Sequence, residues 1–252
     1  MKITIITATW NSYPEIADCM RSLAMQKDVD LEHITIDGGS SDETIPVIRS
    51  TFPRSIIISE PDRGIYDALN KGIRIATGDV IGFLHSDDLL ASPTILSSVR
   101  EEFERTGADG IYGDLVYVSR YNTRKIVRFW RSNSFRLNRL KYGWMPPHPS
   151  LFLRRSVYEK HGLFDLSFRI ASDYDFVQRI FKDEELKFNY LPLITTRMRT
   201  GGTSNKSVKN IYQKMQEDYR AIRKNGTGGL YTLFFKNFGK IDQLIKREGG
   251  AI

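Results

Sequence analysis

Val-Ile-Gly-Phe-Leu-His-Ser-Asp-Asp, residues 80–88, decides the fold, because an apolar run that predicts a buried strand passes directly into four polar residues. Three β-branched runs of the same kind precede it, at Ile3–Ala8, Ile34–Asp37 and Ile56–Ser59. Helix-like stretches separate or follow these runs, at residues 14–25, 44–50, 65–76 and 93–106. Strands that alternate with helices predict an α/β fold with a parallel sheet and crossover helices.

After residue 110 the pattern changes to longer strand-like runs. We predict strands at Ile111–Ser119 and Ile126–Trp130, a helix at Ser172–Phe181, and a strand pair at Lys187–Leu191 and Ile194–Met198. An amphipathic helix then begins near Val208 and ends at Asn225-Gly226. A final apolar stripe, with cations beside it, consists of Leu230, Phe234, Phe238, Ile241 and Ile245, flanked by Lys236, Lys240, Lys246 and Arg247. The predicted organisation is one α/β domain over residues 1–205, in halves 1–114 and 115–205, with a helical basic extension over residues 206–252.

Composition favours a single core in a reducing compartment. The 252 residues are 40% hydrophobic and 12% aromatic, which is enough to bury one large core without a second domain. One cysteine, Cys19, cannot form an internal disulfide, and no charged-then-apolar leader precedes the first strand-like run. No apolar run approaches the ~18 residues that cross a bilayer. We therefore expect a cytoplasmic protein.

Charge is segregated along the chain. Residues 1–114 carry 10 Lys and Arg against 19 Asp and Glu, a net charge of −9, whereas residues 115–158 carry 10 basic residues and no acidic one. Residues 206–252 carry 10 basic residues against 4 acidic ones, a net charge of +6. An acidic first half suits a cation site, and basic blocks suit phosphate-bearing or anionic surfaces, although solvated faces explain either block equally well. No recognised nucleic-acid motif is present, so nucleic acid is not a predicted partner.

Polar residues follow all four of the first strand-like runs. They occupy residues 7–11, 37–42, 60–64 and 85–88. Ligands of open α/β sheets bind beyond the carboxyl ends of the strands, so these four segments predict a shared site. Asp42 and Ser92 are better explained as turn or cap residues. Asp37, which precedes two glycines, could accept a hydrogen bond from a base N–H or form an Asx-turn, and the sequence leaves both open.

Asp87 and Asp88 are the strongest candidates for binding a cation. Two adjacent carboxylates repel each other and gain most when a cation lies between them and a diphosphate. Mn²⁺ or Mg²⁺ is the expected ion, because both favour hard oxygen ligands and bridged phosphates. A helix N-cap near Pro93 could use one of these acids but hardly both.

Two further polar positions have both a structural and a chemical interpretation. Asp173 could cap the helix that follows it, with Asp175 as a first-turn acid, or it could act as a general base. His148 lies between Pro147 and Pro149, whose rigid backbone suits a positioned contact to a phosphate or an acceptor, although a structural turn explains it nearly as well.

Six segments in order resemble the family-2 inverting glycosyltransferases, in particular the bacterial enzymes that build surface polysaccharides. The segments are ITIITATWN (3–11), IDGGSSDET (36–44), EPDRGIYDALNKGI (60–73), GDVIGFLHSDD (78–88), PHPSLFLRRSVYEKHGLFD (147–165) and ASDYDF (171–176). The resemblance covers roughly residues 1–205 and implies a GT-A fold, a Rossmann-like mixed sheet flanked by helices, for a metal-dependent hexosyltransferase.

The resemblance also implies roles for individual residues. The implied nucleoside and donor contacts are Thr7, Thr9, Asn11, Asp37, Arg63, Asp67, Asp87 and Arg199, and His148 is added as a candidate from its place between two prolines. Asp87 and Asp88 stand where the family's metal-binding DXD motif stands, and Asp173 stands where its catalytic base does. The chain departs from the pattern twice, since His85 replaces the first acid of the DXD and Ser172 replaces the Glu that usually precedes the base. In the loop RMRTGGTSN, Arg197, Arg199 and the backbone of Gly201-Gly202 are candidates for a donor-phosphate contact.

The sequence therefore predicts transfer of a hexose-type sugar, with inversion, from a nucleotide diphosphate, with UDP expected as the nucleotide. The expected acceptor is a growing polysaccharide or a lipid-linked glycan. The basic blocks and the last apolar stripe predict a peripheral position on an anionic membrane surface at its inner face. Packing of this helix on the chain's own core, or on a second copy of the chain in a homodimer, explains the same stripe. The alternative function is a catalytically inactive subunit that binds a nucleotide sugar or serves as a scaffold. A nucleotidyltransferase is disfavoured because residues 1–20 lack a Gly-rich phosphate loop with basic residues.

Overall fold

The first half of the chain forms four parallel strands in the computed structural model, which describes residues 1–201 and 208–238. The strands are β1 (Lys2–Thr9), β2 (Asp30–Asp37), β3 (Ile56–Ser59) and β4 (Val80–Phe83), in the order β3-β2-β1-β4. The helices are α1 (Ile16–Ala24), α2 (Thr44–Thr51), α3 (Ile65–Ile75) and α4 (Ile95–Thr106). This confirms the predicted alternation. Thr9, Asp37 and Ser59 occupy one level of the sheet because they pair in register across β1, β2 and β3.

The second half extends the same sheet with antiparallel and parallel strands. These are β5 (Leu89–Leu90), β6 (Gly110–Val118), β7 (Ile126–Trp130), β8 (Leu151–Arg154) and β9 (Phe188–Arg199), with helices α5 (Arg155–His161) and α6 (Ser172–Phe181). β8 lies antiparallel between β4 and β6, and β9 runs parallel to β6. The result is one mixed α/β sheet, β3-β2-β1-β4-β8-β6-β9-β5, with β7 paired to β6.

The predicted strand pair at residues 187–198 is wrong, because β9 is a single strand. Pro192, which has no N–H to donate, interrupts the ladder without reversing the chain, and the register with β6 shifts around Asp114. The bend brings β9 against Gly113, where a Cβ would lie 2.4 Å from Cγ2 of Thr195. Only glycine permits that approach.

The core lies on both faces of the sheet. Side chains alternate along each strand, so Ile5 packs in one cluster with α1 and α4, and Ile6 packs in the other with α3 and α6. Helices α7 (Val208–Asn225) and α8 (Leu230–Phe238) pack on the second side, where Ala221 and Ile222 are fully buried. The described part of the predicted C-terminal extension thus shares a core with the α/β domain.

Lys236 does not lie where the sequence pattern predicted. It is buried, and its ammonium lies 2.6 Å from Oδ1 of Asp218 instead of flanking an exposed stripe. Leu230 and Phe234 of that stripe are exposed. The side chain of Phe238 and the stripe's remaining members, Ile241 and Ile245 with Lys240, Lys246 and Arg247, lie outside the described residues. Within residues 1–201 and 208–238, none of the helices combines the length and the apolar character needed to cross a membrane.

Candidate active site

The loop that follows β2 folds around the carboxylate of Asp37. This side chain is fully buried, and its Oδ2 accepts hydrogen bonds from the backbone N–H groups of Gly39 and Ser40 and from the hydroxyl of Ser59. Oδ1 accepts one hydrogen bond, from the Ser40 hydroxyl at 2.5 Å. The Asx-turn is therefore formed, and Oδ1 keeps capacity for a second donor. The predicted contact to a base stays a prediction.

Asn11 locks the β1 loop to the β2 loop. It has a left-handed backbone with φ 45°, its N–H donates to Oγ of Ser40 at 2.8 Å, and its Oδ1 accepts from the Ser41 N–H at 2.9 Å. Thr9 donates to Ser12, whose hydroxyl lies 2.9 Å from that of Ser86 after β4. The ends of three neighbouring strands thus meet, as the sequence predicted.

Thr7 lies away from this surface. It is fully buried in β1, and its hydroxyl lies 3.1 Å from Nε2 of His33. Because side chains alternate across a strand, Thr9 shares its face with Thr7 and comes to the strand end two residues later. The contact to a nucleoside that the resemblance implied for Thr7 is thus not supported by its position. Burial lowers the pKa of His33 to about 3, so this pair is neutral.

Arg63 and Asp67 form a small unit at the start of α3. Oδ2 of Asp67 accepts from the Arg63 N–H at 3.1 Å, and Oδ1 lies 3.5 Å from Nη2 of the same residue. Burial opposes ionisation, but the hydrogen bonds and the charge of Arg63 prevail and lower the pKa of Asp67. The Arg63 side chain is 78% exposed, so its guanidinium can turn toward a phosphate without leaving a buried position.

Asp87 and Asp88 differ sharply in their surroundings. Asp88 is buried, its Oδ1 accepts from the Arg199 N–H at 3.0 Å, and its Oδ2 has no hydrogen-bond partner among the described residues. Burial and the adjacent charge of Asp87 raise the pKa of Asp88 well above its usual range. Asp87 is only partly buried, so of the two residues it is the more exposed.

Arg199 braces the loop that carries these acids. Its Nη1 donates to the Asp87 carbonyl at 2.6 Å, its Nε to the Arg120 carbonyl at 3.3 Å, and its Nη2 to the carboxylate of Asp18. The guanidinium is 4% exposed, and every nitrogen has a protein acceptor. The guanidinium of Arg199 is thus engaged within the protein, and this position does not support the predicted contact of Arg199 to a phosphate of the sugar donor. Gly202 of the same loop lies outside the described residues.

Asp173 lies in the first turn of α6 and faces a large cavity. The helix begins at Ser172 after Ala171, so Asp173 is not the N-cap that the sequence left open. Oδ1 of Asp173 lies 3.0 Å from the hydroxyl of Tyr66, which also lies 2.7 Å from the Ile170 carbonyl. A phenol has one proton to donate, so these two acceptors share it. Asp175, the other acid of this turn, is fully buried and paired with Arg179 and Lys224.

The two histidines near Asp173 lie in the wall of the same cavity. The ring of His148 stacks on Phe83 with centroids 5.1 Å apart and lies 6.1 Å from that of His85. Both ring nitrogens of His148 are buried without a partner among the described residues, and burial lowers its pKa to about 4. Burial also lowers the pKa of His85, against the charges of Asp87 and Asp173. Both imidazoles in this wall are therefore neutral.

The cavity has a volume of about 760 Å³ and joins the two halves of the chain. Its lining includes His85, His148, Tyr66, Asp173, Met198 and Lys236. Among residues 1–201 and 208–238, no group of three or more His, Cys, Asp or Glu side chains is placed to hold a metal ion. Tyr66 was missed in the sequence, although its place one turn after the polar end of β3 is a usable signal.

Comparison with known proteins shows which family the chain belongs to. A family model described as glycosyl transferase family 2 matches residues 4–162. The chain belongs to this family. A PGL/p-HBAD biosynthesis glycosyltransferase of Mycobacterium bovis (strain BCG / Pasteur 1173P2) is 32% identical over 217 residues, which cover 84% of this chain and 82% of that protein. Family membership makes the protein a glycosyltransferase and confirms the resemblance on which the sequence prediction rested.

Solved structures show the same GT-A fold. Staphylococcus aureus TarS 1–349 in complex with UDP-GlcNAc has a TM-score of 0.72 at 17% identity, over 98% of this chain and 77% of that one. The chain spans 40% of the longer TarS structure, with a TM-score of 0.65 at 19% identity. A mannosyltransferase of Pyrobaculum calidifontis, in complex with GDP-Man and Mn²⁺, has a TM-score of 0.66 at 18% identity, over 96% and 72% of the two chains.

Proposed function

We propose that this glycosyltransferase transfers a hexose with inversion from a UDP-sugar to an acceptor hydroxyl of a polysaccharide or lipid-linked glycan. The observation that carries the proposal is the position of Asp173, whose carboxylate faces the cavity that opens beside the strand-end loops. The choice of a sugar nucleotide is supported by the bound donors of the two structural neighbours, and that of UDP by TarS alone. A glycan acceptor is supported by the biosynthetic role named for the mycobacterial relative.

The donor nucleoside would lie on the loops after β1 and β2. Oδ1 of Asp37 accepts one hydrogen bond and keeps a lone pair for a second donor, such as a base N–H, and Asn11 and Thr9 fix the loops around it. Arg63, exposed at the start of α3 and tied to Asp67, is placed to reach a phosphate. These contacts would hold the donor beside the cavity.

Asp87 and Asp88 fit a divalent cation, Mn²⁺ or Mg²⁺. Oδ2 of Asp88 is a buried carboxylate oxygen without a partner among the described residues, which a cation would satisfy. Mg²⁺ commonly uses one or two carboxylates together with substrate phosphates, so a larger protein cage is not required. When bound, the ion would supply positive charge to the departing diphosphate. Asp87, the more open acid, would face the phosphates, and Asp88 would lie behind it.

Asp173 would act as the general base. The acceptor oxygen forms a bond to the anomeric carbon, the bond from that carbon to the diphosphate breaks with its electron pair, and Asp173 takes the acceptor proton. Attack from the face opposite the leaving group inverts the anomeric centre. Tyr66 holds the carboxylate by its 3.0 Å contact, which leaves Oδ2 for the acceptor. The neutral ring of His148 in the cavity wall would donate one hydrogen bond to a sugar hydroxyl or accept one from it.

A peripheral position on the inner face of an anionic membrane completes the proposal. Tyr142, Leu230, Tyr231 and Phe234 form an exposed aromatic patch, between 50% and 70% exposed, where α8 packs on the 3-10 helix Leu137–Tyr142. Arg136 and Lys141 are exposed in the same acid-free segment. Aromatic side chains beside cations are typical of surfaces that lie in a membrane interface. Contact between two copies of the chain is the competing use of this patch.

A thermal-shift screen with nucleotide diphosphates and nucleotide sugars, with and without Mn²⁺, tests donor binding. A ligand at 100 times its Kd stabilises the folded state by ~2.7 kcal/mol. We expect a UDP-sugar to raise Tm by roughly 5–10 °C in the presence of Mn²⁺. Asp87→Asn should lose most of this shift, while the control Asp30→Asn, an exposed acid at the opposite end of β2, should keep it. Equal shifts with EDTA and with Mn²⁺ in the wild-type protein would contradict the metal site, and no shift with any nucleotide would contradict the donor site.

A further inference from the structure

Helices α7 and α8 supply one wall of the cavity that holds Asp173. Asn210, Lys214 and Asp218 of α7 and Lys236 and Asn237 of α8 line it together with Tyr174 of α6. The five residues of α7 and α8 belong to the basic C-terminal segment and lie outside the six motifs on which the family resemblance rests. The wall therefore presents side chains to the cavity that neither bind the donor nor serve as the base in the proposed mechanism.

Two lysines share one carboxylate in this wall. Nζ of Lys214 lies 3.0 Å from Oδ2 of Asp218, and Nζ of Lys236 lies 2.6 Å from Oδ1 of the same residue. Asp218 is fully buried, the Lys236 side chain is 5% exposed, and the Lys214 side chain is 34% exposed. One carboxylate balances one ammonium, so the cluster retains a charge of about +1 toward the cavity.

The burial of Lys236 costs more than a structural contact to Asp218 would require. Burial lowers its pKa to about 8 in spite of the charge of Asp218. Its ammonium lies 3.8 Å from the centroid of the Tyr174 ring, and its stem packs so closely on Gly143 that a Cβ there would lie 2.4 Å from its own Cβ. One lysine would fasten α8 to Asp218, and an apolar pair would fasten it as well or better. A second cation on the same carboxylate, facing a cavity, indicates a ligand.

The remaining charges of the cavity reinforce the sign of this cluster. Arg128 and Arg169 line it as well, so four cationic side chains face two acidic ones, Asp173 and Asp218. A low-dielectric cavity with an excess of one charge concentrates ions of the opposite charge. The group expected there is an anion.

We propose that Lys214 and Lys236 form a binding subsite for an anionic group, a phosphate or a carboxylate, carried by the acceptor. The assignment to the acceptor rests on the proposed function, in which Asp173 marks the acceptor side of the cavity. Each ammonium has three N–H donors, of which Asp218 can occupy at most one, so both lysines can bind an oxyanion while they remain paired with it. Such a group would anchor the acceptor at the wall formed by α7 and α8 and direct its hydroxyl toward Asp173.

Titration of the full-length protein with inorganic phosphate tests the subsite without a sugar donor. NMR of the protein labelled with ¹³C at lysine Cε reports on each ammonium, with Lys214→Gln and Lys236→Met identifying the two signals. We expect both signals to shift with phosphate, and Lys214→Gln to weaken phosphate binding about tenfold or more. Lys209→Gln, an exposed lysine on the same helix, is the control and should bind phosphate as the wild type does. Because Lys214 is one-third exposed, its substitution keeps the fold even if Lys236→Met does not.

Further arms separate the sources of the anion and the two proposals. Glucuronate in place of phosphate distinguishes a carboxylate from a phosphate ligand, and whichever shifts the lysine signals more names the group. UDP should bind Lys214→Gln and wild type equally, and a matching loss of UDP affinity would assign the lysines to the donor and overturn the proposal. Unmoved lysine signals with both anions would overturn it as well. Asp173→Asn should retain phosphate binding, so failure of the base assignment leaves this result unaffected.

Discussion

Glu217 of α7 caps the start of α6, the helix that carries Asp173. Substitution of Glu217 should therefore destabilise the protein and disturb the position of Asp173. Ala171, the residue before α6, gives that helix no side-chain cap. Oε2 of Glu217 instead accepts from the Ile170 N–H at 2.7 Å and from the Ala171 N–H at 3.0 Å. Burial opposes ionisation, but these hydrogen bonds lower the pKa of Glu217. A carboxylate at a helix N-terminus is also favoured by the helix dipole.

The structure gives the size of the effect of Glu217→Ala. The Ala171 N–H would be buried without a partner, which costs ~1–3 kcal/mol, while the Ile170 N–H is partly accessible to water and costs less. We expect a loss of ~2–4 kcal/mol in the free energy of unfolding, or roughly 5–15 °C in Tm for a chain of this length. Because the lost contacts lie directly before Asp173, transfer should slow while donor affinity stays near the wild-type value.

Urea unfolding and calorimetry with the donor measure the two effects separately. Glu184→Ala, at an exposed acid between α6 and β9, is the matched control and should change the free energy of unfolding by less than ~0.5 kcal/mol. Glu217→Gln should fall between the two, because the amide oxygen can still accept from both N–H groups but lacks the negative charge that strengthens these bonds. If Glu217→Ala unfolds at the same urea concentration as the control and transfers at the wild-type rate, α7 does not support the site.

Three further outcomes follow from the structure. Glu32 accepts hydrogen bonds from Thr4, Thr77 and Lys2, which outweigh its burial and lower its pKa to about 2. Its ionised form therefore contributes ~3 kcal/mol to the free energy of unfolding above pH 4.5, and this contribution is lost as the pH falls toward 2. In acid unfolding, Glu32→Gln should lack this pH-dependent loss of stability. Gly72→Ala should destabilise the protein by ~1–3 kcal/mol in urea, because the added Cβ would lie 2.5 Å from Cγ2 of Ile6. Tyr231→Ser should reduce flotation with anionic vesicles at low salt, whereas unchanged flotation combined with dissociation of a dimer in sedimentation would assign the aromatic patch to a second copy.

Local patterns were enough to predict the first half of the fold. Each of its strands is a continuous apolar run that ends in polar residues, and the helix between two strands is amphipathic. The hydrophobic pattern and the turn residues therefore place the same element boundaries. The second half depends on pairing between distant segments. Leu151–Arg154 is only four residues long and finds its place between β4 and β6 through partners about 40 to 70 positions away. No short sequence window contains that information.

The same limit applies to the candidate site. The sequence indicated the acids at 87 and 88 but could not predict that Asp88 turns inward to the backbone of Arg199, because that partner is 111 positions away. It placed Lys236 on an exposed flank, since the acid that neutralises it, Asp218, belongs to another helix. Tyr66 was missed for the same reason, as its partner Asp173 is 107 positions away.

The rate of sugar transfer by Asp173→Asn, measured beside its donor affinity, shows whether Asp173 is the general base. Asn keeps the shape of the side chain and the contact to Tyr66 but cannot take up the acceptor proton. If Asp173 is the base, we expect an unchanged Kd for the nucleotide sugar, an unchanged Tm, and a transfer rate reduced by ~10²–10⁴-fold. A variant that binds the donor and transfers its sugar at nearly the wild-type rate would contradict the assignment of Asp173 as the base, and with it the proposed mechanism.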